Sequence, residues 1–191
     1  MGEVTALISA DTPARADESE LREFMVQYQA ADAAATEELV TRLSPRLLSF
    51  LSGPEQSRSD AEDLLQECWL RIHRSRHTYR PSEPLLPWVY AIARHTRLDG
   101  LRRHARRRRR EVLVPDVPER ADGNADPEPG PDIFRLLNRL PERQREVVLL
   151  LKVSGLTVEE VARSTASSVG AIKQKAHRAY ATLRELLVKG E

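Results

Sequence analysis

From about Val112 to Pro131 the chain combines proline, glycine and acidic residues and offers almost no side chain worth burying. Such a stretch cannot offset the entropy of ordering its backbone, so it should remain an extended, mobile linker. In a chain of 191 residues it leaves two pieces, each of which must be compact in itself. The expected organisation is a disordered leader at 1–18, one helical domain at 19–110, an acidic flexible linker at 111–131 and a second helical domain at 132–191.

Helix is the expected element throughout. Aromatic residues make up only 5% of the chain, leucine, alanine and arginine abound, and alternating β-branched runs are absent, so an all-α fold of two small domains follows. Leu21, Phe24, Met25 and Tyr28, then Leu39, Leu43, Leu47, Leu48 and Leu51, recur at intervals of three and four, which predicts two amphipathic helices between Ser19 and Gly53. Ser59 with Glu62 has capping-box spacing ahead of Leu64, Leu65, Cys68, Trp69 and Ile72. After the turn-like stretch Tyr79 to Pro84, a fourth helix should begin near Leu85 or Pro87 and run into an arginine-rich end.

In the second piece, helix should resume at Asp132. Pro141 suits a first helical turn and Gly155 a left-handed helix end. Thr157 with Glu160 makes another capping box, and the short helix it starts is followed by small polar residues and a last helix from Ser168. Short helix, tight turn and longer helix form a helix-turn-helix, whose second helix can enter a major groove. On that helix Ile172, Ala176, Ala179, Leu183 and Leu187 share the core side, while Gln174, His177 and Arg178 point away. Amide and guanidinium groups there suit base readout, with Lys173 and Lys175 meeting phosphates; a solvated helix face is the plainer reading of the same residues.

The net charge of +1 hides segregation: residues 94–110 hold nine arginines against Asp99 alone, whereas residues 111–132 hold seven acids against Arg120. The run Arg102 to Arg110 is adequate for phosphate contacts, although it could equally be a solvated tail or an RNA-binding arm. It follows Trp88 and Tyr90, with Tyr79 nearby, and stacking beside a basic track is how single strands are held; core burial is the plainer role for Trp88. His73, His77 and Cys68 lack the spacing of zinc sites, so no metal site and no cofactor are expected. Phosphate-cradling glycine loops, nucleophile elbows and paired catalytic carboxylates are missing too, which argues against an enzyme and a small-molecule substrate. The single Cys68, the absence of a signal-like start and the lack of a long apolar segment lead us to expect a cytoplasmic protein.

Four blocks in order, DAEDLLQECWLRIHR, PWVYAIARHTRLDGLRR, LPERQREVVLLLKVSGLTVEEVA and GAIKQKAHRAYATLR, resemble the extracytoplasmic-function sigma factors of bacteria, the members of the sigma-70 family that keep regions two and four. The resemblance spans about Ser19 to Leu187, sparing leader and linker. It implies a promoter-specificity subunit of RNA polymerase. Region two would bind the clamp of the polymerase largest subunit through the helix carrying Asp63, Gln66 and Glu67. Tyr79, Arg80, Trp88, Arg94, His95, Arg102 and Arg103 would meet the minus-ten element, and Ser168, Lys173, Gln174, Lys175, His177 and Arg178 the minus-thirty-five element. Where the family commonly carries asparagine after the Ile-Ala-x segment, this chain has His95, so the family's minus-ten base preference is not carried over to it.

The tail after Leu187 is short, so control in trans by an anti-sigma factor is expected. Family members thread the linker toward the polymerase active centre, where an acidic linker could imitate RNA; a soluble tether explains the same composition. A stand-alone helix-turn-helix regulator would need only the second domain and leaves the acidic helix at 63–67 without a purpose. A sigma-like decoy leaves Lys173, Arg178 and the arginine run unexplained. A metal-dependent hydrolase would have to use Asp60, Glu62 and Asp63, which lack histidine or lysine partners at useful spacing.

Overall fold

The computed structural model describes residues 18–53, 57–111 and 136–188, with the side chains of 107–111 and 188 excepted. Residues 1–17 of the expected leader, nearly all of the linker and the helix start at Asp132 lie outside the described residues, and Glu18, placed in the leader, is instead the first residue of a helix. Within them the elements are α1 (Glu18–Gln29), α2 (Ala33–Leu51), α3 (Arg58–Ser75) with a 3-10 turn (Arg76–Thr78), α4 (Leu85–Glu111), α5 (Glu142–Val148) continuing as a π turn (Leu149–Val153), α6 (Val158–Ser164) and α7 (Val169–Val188). No strand occurs among the described residues.

The leucine periodicity is realised as a four-helix bundle. Leu21 and Met25 of α1, Leu39, Leu43 and Leu47 of α2, Leu64, Cys68 and Ile72 of α3, and Leu86, Val89 and Ala93 of α4 are all buried. The break between α1 and α2 is made by Ala31 in the left-handed region (φ 64°) and by Asp32, whose carboxylate accepts the Ala35 N–H at 2.8 Å. At Gly100, α4 comes so close to α3 that an added Cβ would sit 2.7 Å from a Leu64 methyl. Glu18 reaches across the bundle to accept the Leu85 N–H at 2.6 Å, capping the start of α4. Burial pushes its carboxyl above the usual range even so.

The expected capping box at Ser59 and Glu62 is corrected. Ser57 accepts the Asp60 N–H and Asp60 accepts the Ser57 N–H, both at 3.1 Å, and α3 starts at Arg58, which puts Ser59 inside the first turn. Aspartate closes such a box as glutamate does when the serine lies three residues before it.

The C-terminal elements form a compact three-helix unit. Leu149, Leu150, Val161, Ile172, Ala176, Ala179 and Leu183 are buried, as the periodicity of the last helix predicts. Leu187 is only half-buried. Gly155 has φ 71° at the end of the π turn, and Thr157 and Glu160 make a complete capping box at α6. The turn into α7 passes through Ala166 at φ 50°, and the Ser168 hydroxyl accepts the Ala171 N–H at 3.2 Å.

The two helical units are packed together, which the linker did not foretell. The α6 helix lies on α4 and the π turn lies on α2. Phe50 stands edge-on to Tyr90 with centroids 5.4 Å apart, and the Arg97 guanidinium lies over the Phe50 ring at 5.6 Å. Arg97 and Arg145 are both buried, at 3% and 2% exposure. Arg145 Nη2 donates to the Ser52 carbonyl at 2.6 Å, and desolvation together with the nearby Arg97 brings its pKa down to about 10. Several buried polar atoms of the described residues without a hydrogen-bond partner belong to the elements that meet there: Ser49 Oγ, Arg97 Nε, Gln144 Oε1, Arg145 Nε and Arg145 Nη1. Each such atom offsets part of what the apolar contacts of the junction contribute.

Candidate nucleic-acid interface

The last helix presents what its spacing promises. Because Ile172, Ala176 and Ala179 face the core, Lys173, Gln174, His177 and Arg178 are turned outward and exposed, with Lys175 half-buried at the edge. Among the described residues no ion pair or hydrogen bond engages the side chains of these five, and the Thr182 hydroxyl reaches only the backbone carbonyl of Arg178, so their side-chain donors are available to an external partner. Ser168 caps the helix that carries them.

On α3, Asp63 and Gln66 are exposed and Glu67 half-buried. Their spacing continues to Leu70, an apolar side chain 56% exposed, so one stripe combines two acids, an amide and a leucine. Sequence reasoning passed over Leu70; its position three and four residues beyond Glu67 and Gln66 was the available signal. Glu67 is not free: it accepts from Arg71 at 2.5 Å and from Arg103. The hydrogen bond from Arg103 holds its carboxyl below the usual range. Arg71 also reaches Asp99 at 2.9 Å and holds that carboxyl low.

The residues grouped for minus-ten contact separate in space. Arg80 and His95 are exposed, and Arg102 is exposed with a loose contact of 3.4 Å to Asp99. Tyr79 is buried; its hydroxyl donates to the Glu83 carbonyl at 2.9 Å and its ring lies 5.6 Å from half-buried Trp88. Tyr90, offered above as a stacking partner, is corrected to a core residue: it is fully buried, and desolvation pushes its hydroxyl up to about 12. Its register with Leu86, Val89 and Ala93 dictates this. Arg94 is turned toward the C-terminal unit, where its Nε donates to Glu146 Oε1 at 2.9 Å.

Among the described residues no group of three His, Cys, Asp or Glu side chains could hold a metal ion. His73 Nδ1 instead pairs with the Tyr28 hydroxyl at 2.8 Å. Cys68 is buried, and desolvation pushes its thiol up to about 12. No helix among the described residues is long and apolar enough to cross a membrane.

A four-helix bundle with a cationic last helix, joined to a capped helix-turn-helix with an exposed basic and amide face, defines a class of two-unit helical DNA-binding protein. Comparison narrows the class. Residues 39–107 match the family model for Sigma-70 region 2 and residues 132–183 that for Sigma-70, region 4. The chain is 35% identical over 167 residues to the RNA polymerase sigma factor CarQ of Myxococcus xanthus, covering 85% of this chain and 95% of that one. It is 32% identical over 179 residues to the ECF RNA polymerase sigma factor SigF of Caulobacter vibrioides, covering 91% and 97%. The fold is similar to that of the sigma factor RpoE solved with the anti-sigma factor NepR from Bartonella quintana (TM-score 0.64, 26% identity, covering 80% of this chain and 96% of that one). It is also similar to CnrH solved with the cytosolic domain of CnrY (TM-score 0.66, 22% identity, covering 89% and 98%). The chain belongs to the extracytoplasmic-function sigma factors of the sigma-70 family.

Proposed function

We propose that this chain directs bacterial RNA polymerase core to a set of promoters and acts there as an initiation factor rather than as an enzyme, in the cytoplasm. One observation carries the reading: both sigma-70 regions occur in order on one chain, and the helix that would read DNA keeps its polar face exposed.

The residue roles follow the chemistry. The stripe of Asp63, Gln66, Glu67 and Leu70 offers an acidic face with an apolar anchor, which suits a basic surface such as the clamp of the polymerase largest subunit. Residues 19–110 form the domain that holds core polymerase and opens the minus-ten element. Within it Arg80, Arg94, His95, Arg102 and Arg103 supply phosphate and base contacts, while Tyr79 and Trp88 shape the wall beside them. Residues 132–191 form the domain that reads the minus-thirty-five element. Gln174, His177 and Arg178 face base edges there, Lys173 and Lys175 take phosphates, and Ser168 lies at the helix start that a phosphate would approach. Residues 111–131 join the two.

An anti-sigma factor is the expected regulator, in keeping with the bound partner of the related RpoE. Mixing the purified full chain with core polymerase and resolving the mixture by size tests the central role. Co-elution with core is expected, and elution of the chain by itself at micromolar concentrations would refute the reading.

A further inference from the structure

The segment between α3 and α4 is held by α1 through its backbone. Glu18, Arg22 and Gln29 stand four and then seven residues apart, so they share one side of α1, the side that also carries buried Met25. Gln29 Nε2 donates to the Arg76 carbonyl at 2.6 Å and to the Tyr79 carbonyl at 3.0 Å. The Arg22 guanidinium donates to the Pro81 carbonyl, and Glu18 Oε1 accepts the Leu85 and Leu86 N–H groups at 2.6 and 3.4 Å. From Arg76 to Leu86 the segment thus runs antiparallel to α1, bonded at both ends and in its middle. Within it the Glu83 N–H closes a turn on the Arg80 carbonyl at 2.9 Å, and the buried Tyr79 ring sends its hydroxyl to the Glu83 carbonyl at 2.9 Å.

Every bond from α1 ends on main-chain atoms of the segment, while the side chains of Arg80, Pro81, Ser82 and Glu83 stay exposed. The helices on either side are already fixed by the buried core, through Leu64, Cys68 and Ile72 on α3 and Val89 and Ala93 on α4. The polar stripe of α1 therefore adds shape to the loop more than cohesion to the bundle. A loop held by its backbone with its side chains spared is what a preformed recognition surface needs, because the ordering that would otherwise oppose binding is complete on folding. We propose that Glu18, Arg22 and Gln29 are positioning residues for minus-ten recognition: they preset the tip at 80–83, so that its side chains meet unpaired promoter DNA in one fixed arrangement. The α1 helix touches no DNA in this account, yet it sets how strictly the chain discriminates minus-ten bases. The inference rests on the reading of residues 19–110 as the domain that opens the minus-ten element.

The test uses holoenzyme assembled from core polymerase and the full chain, read by run-off transcription. The templates are one promoter that the wild type uses and its single-base variants through the minus-ten and minus-thirty-five elements. For each element the output from the best base is divided by that from the worst. The double variant R22M/Q29E removes both donors while keeping side-chain length. Its minus-ten ratio is expected to fall roughly fivefold, about what one lost hydrogen bond corresponds to, with the minus-thirty-five ratio unchanged. Arg22→Lys, which keeps a donor, should hold the wild-type ratio. An unchanged minus-ten ratio in R22M/Q29E, with or without a general loss of output, would overturn the proposal, and so would an equal fall at both elements. If the double variant no longer co-elutes with core, Q29E by itself carries the same test. A wild type that yields no transcripts refutes the proposed function itself, whereas a variant that discriminates as well as an active wild type refutes only the role of α1.

Discussion

Arg178 and Gln174 show how far a single helix position can be read. Their outward placement follows from the burial of Ile172, Ala176 and Ala179 on the opposite side, which the three-and-four spacing already implied. Replacing Arg178 by alanine removes a group able to bond one base edge in two places. Discrimination at the upstream element should therefore fall by about 1–3 kcal/mol. Competition between cognate and scrambled duplexes measures this, and core binding should be unchanged. Gln66→Ala separates the other duty: polymerase association, followed by co-elution with core, should weaken while binding of the isolated chain to upstream DNA stays the same. The aromatic residues were less legible. Proximity to a basic run suggested stacking for Tyr79 and Tyr90, but burial turns on which side of a helix a ring occupies, and Tyr90 falls on the side of Leu86 and Ala93.

Among the elements, the caps repay closest attention. The α6 helix has only seven residues, too few to form unaided, so the reciprocal bonds of Thr157 and Glu160 matter to the whole helix-turn-helix. Thr157→Ala should cost about 1 kcal/mol and lower the melting temperature by about 2–4 °C, with Thr157→Ser recovering most of the loss. This box was legible because its glutamate sits at the expected place. The one at α3 was misread by two residues because Ser59 and Glu62 have the right spacing one step inside the helix, while the working pair uses aspartate.

The network of Glu67, Arg71, Asp99 and Arg103 ties α3 to α4. Both carboxyls are held below their ordinary range, Glu67 chiefly by Arg103 and Asp99 chiefly by Arg71. A depressed folded pKa gives stability that is fully present above the unfolded value and is lost as pH falls through the folded one. The difference in melting temperature between wild type and Glu67→Gln should thus be greatest near about pH 7 and vanish below the carboxylate range. A difference that persisted or grew in acid would show that the network does not stabilise the fold.

For the whole molecule, the linker gave no warning that the two units would pack together. Arg94 and Glu146 stand 52 residues apart, and an arginine in a basic segment looks the same whether its acceptor is a phosphate or a carboxylate. Apolar periodicity specifies which side of each helix is buried, and it did so for α1 to α3 and for α7. It is silent about polar contacts between units, which depend on three-dimensional charge pairing. The same limit applies to α3, where the acidic stripe was legible and the internal partners of Glu67 were not.

The central claim is that one chain joins polymerase binding to promoter reading. Run-off transcription with bacterial core polymerase on a library of promoter-bearing templates tests it most directly. Core with the chain should give discrete transcripts from a defined subset of templates, starting at fixed positions, where core by itself gives none. The same background pattern with and without the chain would contradict the account.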